Sequence, residues 1–167
     1  MKLLLNLAII MGLPLLFVGV RKESKSYSHS KAQYCNTRFE FCVNYPAPLL
    51  PEQRVSDNDD GVILKTTDRS SQVSVYGSFN VFKWTPKDLF EFTIKELPGG
   101  GGDIKVLTSL FGDDFYECAF LHGTSQYYHR GYFVKDRYVQ MVAQTPVNRP
   151  EMMSRLREDV TVQLTVQ

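Results

Sequence analysis

The chain reads as an α+β protein in which a central antiparallel sheet is flanked by helices. Three observations carry this expectation. Runs of alternating apolar and polar residues recur through most of the chain, and a period of two is the signature of a strand with one buried face. Only two segments switch to helical spacing, and each opens on capping residues. Between them lie four strand-like runs joined by short polar turns, and connections that short build antiparallel neighbours. The order β-β-β-α-β-β-β-β-α-β follows, with strands outnumbering helices.

The elements are justified in turn. Phe39, Phe41, Val43 and Tyr45 alternate with Arg38, Glu40, Cys42 and Asn44, so the first strand has one apolar face. Tyr45-Pro46-Ala47-Pro48 ends it, since proline cannot donate to a ladder. Val62–Thr66 and Gln72–Tyr76 form a hairpin around Thr67-Asp68-Arg69-Ser70-Ser71. Thr85 is placed to cap the first helix, with Pro86 at its first position and Asp88 three residues after the cap. Phe90, Ile94 and Leu97 then fall on one face, and Pro98 with Gly99–Gly102 ends the helix. The meander comprises Ile104–Leu110, Phe115–Leu121, Gln126–Val134 and Tyr138–Thr145. Asn148, Pro150 and Glu151 announce the second helix, with Asn148 as cap, and Met152, Met153, Leu156 and Val160 follow at its spacing. Val160–Val166 alternates as the last strand.

The start of the chain has a different character. Met1-Lys2 precedes an apolar run from Leu3 to Val20, interrupted only by Asn6, which is the form of an export signal. Residues 1–20 are therefore expected to be a signal peptide, with an uncleaved anchor as the alternative, because 18 residues reach the lower limit for spanning a bilayer. Residues 21–33 are Ser- and Lys-rich and read as a polar spacer. Residues 34–167 then make a single domain, long enough to bury a core without metal or disulfide support. The expected location is periplasmic or secreted, with membrane contact only through the N-terminal segment if it is retained.

Charge narrows the partner class. The 167 residues hold 19 Lys+Arg and 18 Asp+Glu, and removing residues 1–20 takes away only Lys2, leaving a net charge of zero. A neutral protein has no long-range field for polyanions, so nucleic acid is not an expected partner. Three cysteines are too few for a disulfide-built scaffold. In an oxidising compartment two pairings are open: Cys35 with Cys42 across Asn36-Thr37, which is favoured and leaves Cys118 as a buried thiol, or Cys42 with Cys118.

The segments "RFEFCVNYP" and "VILKTTDRSSQVSVYG", with a mid-chain helix and a long meander before a last helix and strand, resemble the Mog1/PsbP-like fold. The resemblance covers about residues 34–166 and implies an α/β/α sandwich around a central antiparallel sheet, in proteins that act mainly as binding or assembly factors. It carries over no functional residue.

Chemistry-bearing patterns are sparse. Asp57, Asp59 and Asp60 are oxygen ligands close together, but the sixth residue from Asp57 is Val62, where a calcium loop needs glycine, so a solvated turn is expected. Gly99–Gly102 follows a helix instead of leading into one, the reverse of a phosphate loop. The histidines lack ligand spacing, and no nucleophile motif is present; Glu40 and Glu117 are one of many polar pairs that strands could oppose. Trp84 with Phe79 and Phe82 reads as a packing hinge.

The residues offered for binding are Tyr128, Arg130 and Tyr132, which share one strand face and would set two tyrosines around a guanidinium, suited to a protein surface or an acidic ligand. The competing reading has Arg130 simply stacking on aromatics of the sheet. No cofactor and no catalytic activity are expected. The function expected is that of a non-enzymatic exported interaction protein engaging a protein partner, in a specialised form an immunity-type inhibitor of a secreted effector. The alternative is an enzyme, or an accessory to one, with a site assembled from distant residues.

Overall fold

A computed structural model describes residues 30–97 and 103–165. The expected signal or anchor, most of the spacer and the Pro98–Gly102 connection lie outside the described residues. Ten strands and two helices follow in order: β1 (Lys31–Asn36), β2 (Phe41–Pro46), β3 (Glu52–Val55), β4 (Gly61–Lys65), β5 (Gln72–Phe79), α1 (Pro86–Lys95), β6 (Ile104–Phe111), β7 (Phe115–His122), β8 (Ser125–Val134), β9 (Arg137–Pro146), α2 (Pro150–Asp159) and β10 (Thr161–Leu164).

The strands form two antiparallel sheets. Seven of them run in the order β3-β4-β5-β9-β8-β7-β6, and three in the order β1-β2-β10. The predicted meander is the β6-β7-β8-β9 half of the large sheet, and β5 pairs along β9 over its full length. Each face of the large sheet carries its own core. On one face, Val62, Leu64, Val73, Val75, Met141 and Ala143 pack against Phe41 and Val43 of the small sheet and against Met153 and Leu156 of α2. On the other, Tyr116, Cys118, Phe120 and Tyr138 pack beneath Leu89 and Phe90 of α1.

The molecule is thus mostly β, with one helix on each face. The expected single sheet between helices is met in part, because the small sheet shares the α2 face. Its β1 and the edge strand β3 are additions to the expected element list. Residues 31–33, assigned to the spacer, belong to β1, so the domain begins before Tyr34. Phe39 lies in the β1–β2 turn and not in a strand. It is still buried, because Gly77 leaves room for its ring: a Cβ there would sit 2.4 Å from the Cβ of Phe39. The α1 cap is as expected, with Thr85 Oγ1 accepting from the Asp88 amide and Asp88 accepting from the Thr85 amide. The α2 cap is not. Arg149 occupies the cap position in place of Asn148, with no side-chain cap, and its guanidinium reaches Asp68 at 2.6 Å and Ser70 at 2.7 Å in the β4–β5 turn.

Cys35 and Cys42 are directly opposite in the β1–β2 register and are joined by a disulfide, with Cα atoms 4.1 Å apart. Cys118 is the buried free thiol.

Candidate functional site

Tyr128, Arg130 and Tyr132 do share a face of β8, but it is the face that α2 covers. Tyr128 is only 1% exposed, so it does not offer a ring to a partner. Arg130 donates to Glu117 at 2.7 Å and to Tyr132 Oη at 3.4 Å, and Arg157 of α2 donates to the other oxygen of Glu117 at 3.3 Å. Both guanidiniums lie against the Tyr128 ring, with carbon-to-centroid distances of 5.5 Å for Arg130 and 4.5 Å for Arg157.

Burial raises the Glu117 carboxyl, but hydrogen bonding from Arg130 and Tyr128 and the positive charges of Arg130 and Arg157 together outweigh this and hold it below its ordinary value. Burial also lifts the Tyr128 phenol to about 12. The adjoining cleft of about 220 Å³ is lined by Tyr128, Arg130, Ser154, Arg157 and Glu158, and both of its guanidiniums bond to Glu117. With both guanidiniums held by the one carboxylate of Glu117, the cluster is a strut between α2 and the sheet. The competing sequence reading, Arg130 stacked on sheet aromatics, describes it better than a binding face does.

The Ser56–Gly61 segment is a turn. Ser56 Oγ accepts from the amides of Asp60 and Gly61 at 3.0 and 2.9 Å, and Asp59 takes a positive φ of 53°. Asp57 pairs with Arg54 and Asp60 with the Asn58 amide, so the three carboxylates do not converge. Among the described residues no group of three acidic, His or Cys side chains is arranged to hold a metal. Glu40 is bound to Arg137, and Glu117 to Arg130 and Arg157, so these two acids belong to separate ion pairs.

Cys118 and His129 face each other across β7 and β8 beneath α1. Burial pushes the thiol up to about 11 and the imidazole down to about 3. His129 is ringed by Phe90, Phe120 and Tyr127, and neither ring nitrogen has a hydrogen-bond partner. A thiol held protonated beside a neutral, unreached imidazole lacks the thiolate that nucleophilic chemistry needs.

The feature missed in the sequence is the loop from Asn80 to Thr85. Val81 is 73% exposed and Phe82 72%, the highest values among the exposed large apolar side chains of the described residues. The loop is braced from within. Asn80 donates to the Trp84 carbonyl at 2.9 Å and accepts from the Trp84 amide at 2.8 Å, while its own amide bonds to the Asp136 carbonyl. Trp84 stacks on Phe82 at 5.0 Å and on Phe92 of α1 at 4.6 Å, and touches Tyr138. Trp84 is therefore the packing hinge expected, whereas Phe82 is held outward on top of it. The signal available was Val-Phe-Lys-Trp immediately before a helix cap, an apolar pair with no periodic partner.

Four loops meet at this end of the large sheet: 56–60, 80–85, 112–114 and 135–136, linked by Gly77 to Asp60, Asn80 to Asp136 and Phe133 to Asp114 backbone bonds. They bring Asp57, Asp59, Asp60, Asp113, Asp114 and Asp136 to the same end as Phe82, against Lys83 and Lys135.

The sheet order and the two helices define a PsbP-like fold. One solved structure with this architecture is the solution structure of cyanobacterial PsbP (CyanoP) from Synechocystis sp. PCC 6803, which superposes with a TM-score of 0.59 at 15% identity over 83% of this chain and 96% of that one. At that identity the likeness concerns the fold alone. No protein-family model matches the chain, and no curated protein matches it. Among the described residues no helix is long and apolar enough to cross a membrane. The Cys35–Cys42 disulfide is the kind of bond that an oxidising compartment favours.

Proposed function

We propose that the protein is a non-enzymatic exported binding protein, periplasmic or secreted, that engages a protein partner through the Asn80–Thr85 loop. The observation that carries this reading is the pair Val81 and Phe82, exposed by nearly three quarters on a loop braced by Asn80 and backed by an aromatic stack. Such residues gain free energy only when something covers them. Because the loop is already held in one conformation, little ordering entropy opposes binding, and a buried aromatic tip is the usual anchor of an interface.

The aspartates of the neighbouring loops specify the partner further. They favour a hollow that is apolar at its centre and basic at its rim. A projecting apolar loop in an acidic surround is also the shape needed to occlude the active-site cleft of a secreted enzyme, which supports the immunity-type version of the reading.

The test is site-specific photocrosslinking in the native host. A photoreactive phenylalanine in place of Phe82 should join one protein, in stoichiometric yield, while the same group in place of Ser70, at the opposite end of the sheet, should not. Phe82→Asp should abolish that complex with the melting temperature unchanged. Equal crosslinking at both positions, or a complex indifferent to Phe82→Asp, would remove the loop from the interface.

A further inference from the structure

We propose that the chain forms a closed two-fold dimer by pairing β6 with β6 of a second copy. This rests on different residues from the aromatic loop and does not depend on that reading.

β6 is an edge of the seven-stranded sheet, and apart from its first residue the whole strand is exposed or nearly so. Val106 is 47% exposed, Leu107 51%, Leu110 57% and Phe111 37%. Edge strands are normally defended by shortness or charge. The opposite edge, β3, has both defences: it is four residues long and carries Glu52 and Arg54. β6 is twice that length, with Lys105 as its single ionic side chain.

The register of β6 shows that a second copy fits it. Opposite β7, Ile104, Val106, Ser109 and Phe111 pair with residues of the α1 face, while Lys105, Thr108 and Leu110 pair with residues of the α2 face. The bulge between Val106 and Thr108 causes this change of parity. Without it, antiparallel self-pairing of an eight-residue strand end to end would place opposite faces against each other. With it, a two-fold axis at the bulge sets Ile104 beside Phe111 of the partner subunit and Val106 beside Ser109 of the partner subunit on the α1 face. Lys105 then lies beside Leu110 of the partner subunit on the α2 face. Each of these pairs keeps its face, and no like charges meet. Such a strand pair, with four apolar side chains per copy, buries on the order of 1,000 Å², at the threshold of a specific interface. The contact is isologous, so it closes at two copies and leaves the defended β3 edges outward.

Sedimentation equilibrium of the purified exported chain should show a monomer–dimer equilibrium with a midpoint at micromolar concentration. Leu110→Lys should raise that midpoint at least tenfold without lowering the melting temperature measured at dilutions where both proteins are monomeric, because the side chain is exposed in the monomer. In a Cys118→Ala background, Val106→Cys with Ser109→Cys should give a disulfide-linked dimer under mild oxidation, and Val106→Cys with Leu110→Cys should not. A monomer up to about 100 µM, where an interface of this size should already associate, would overturn the proposal. So would a dimer indifferent to Leu110→Lys, a dimer lost on Phe82→Asp instead, or open-ended assemblies in place of a dimer.

Discussion

At the scale of the residue, His129 has the clearest consequence. The side chains around it are Phe90 from α1, Cys118 and Phe120 from β7, Tyr127 on its own strand and Val142 opposite it on β9, none of them an acid that could stabilise an imidazolium. Burial lowers its pKa from 6.5 to about 3. The folded state therefore excludes a proton that the unfolded chain accepts. Stability is complete above pH 6.5 and falls as the pH drops from there toward 3. By pH 4.5 the loss is on the order of 2–3 kcal/mol. Carboxylates whose pKa is lowered, Asp68, Asp88 and Glu117, begin to lose their contribution as the pH falls through their ordinary values of 3.8 for the aspartates and 4.5 for the glutamate. The window from 6.5 to 4.5 thus isolates the histidine. Urea unfolding across that window should slope in the wild type and be nearly flat in His129→Leu; an equal slope in both would show that His129 is not the proton acceptor. Alternation along β8 puts His129 on the same face as Tyr127 and Phe133. That its nitrogens are unpartnered was not legible, because it depends on what α1 lays over them from forty residues away in the chain.

At the scale of the element, the strut and the disulfide each hold one edge of the architecture. Glu117 accepts from both Arg130 on β8 and Arg157 on α2, so its loss leaves two half-exposed guanidiniums over the Tyr128 ring without their common acceptor. Glu117→Ala should cost about 1–2 kcal/mol, discounted from the value for a buried pair because these side chains are 28–46% exposed. Denaturant melts check it, and a neutral outcome would mean that α2 is held by Leu156 and Met153 alone. The Cys35–Cys42 bridge closes a short hairpin, and a loop of that size is worth about 2.5 kcal/mol in the chain-entropy account. Reduction, or Cys35→Ala with Cys42→Ala, should lower stability by that order in the same assay. The elements that were legible are those whose pattern matches their surroundings: β2, whose Phe41, Val43 and Tyr45 face inward, the β4–β5 hairpin, α1 with its Thr85–Asp88 box, and the meander. β1 and β3 were not legible. Lys31-Ala32-Gln33 and Glu52-Gln53-Arg54 are polar strands at sheet edges, defined by the neighbour they pair with and not by burial. The α2 cap shifted to Arg149 for a similar reason, since its guanidinium is held by a turn some eighty residues upstream.

At the scale of the whole molecule, the large sheet divides the interior into two cores of unequal enclosure. Among the described residues, the core on the α2 face is covered by both the small sheet and α2, whereas the core on the other face is covered by α1, anchored by Leu89 and Phe90, with Trp84 beside it. That helix follows directly from the braced aromatic loop, and Phe92 on it belongs to the same stack as Phe82. The cover of the second core and the proposed binding loop are therefore one unit. Its local opening should need less free energy than global unfolding, since it forfeits only one helix face of apolar contact. Cys118 lies fully buried beneath that cover and is the single free thiol of the described residues, which makes it a built-in reporter. Under native conditions at constant pH, a thiol reagent should label Cys118 at a rate set by the undocking of α1. Phe90→Ala should raise that rate strongly, because it removes the ring packed on Tyr116, Phe120 and His129. Thr85→Ala should raise it more modestly, by about fivefold for a cap worth roughly 1 kcal/mol. Leu64→Ala, in the opposite core, should lower the global melting temperature while changing the labelling rate far less than Phe90→Ala does. If labelling instead tracks global stability through all three substitutions, α1 does not open independently, and the loop and both cores form one cooperative unit. Occupancy of the loop by a protein partner should slow labelling in the wild type and not in Phe82→Asp, since clamping the loop holds the helix that follows it.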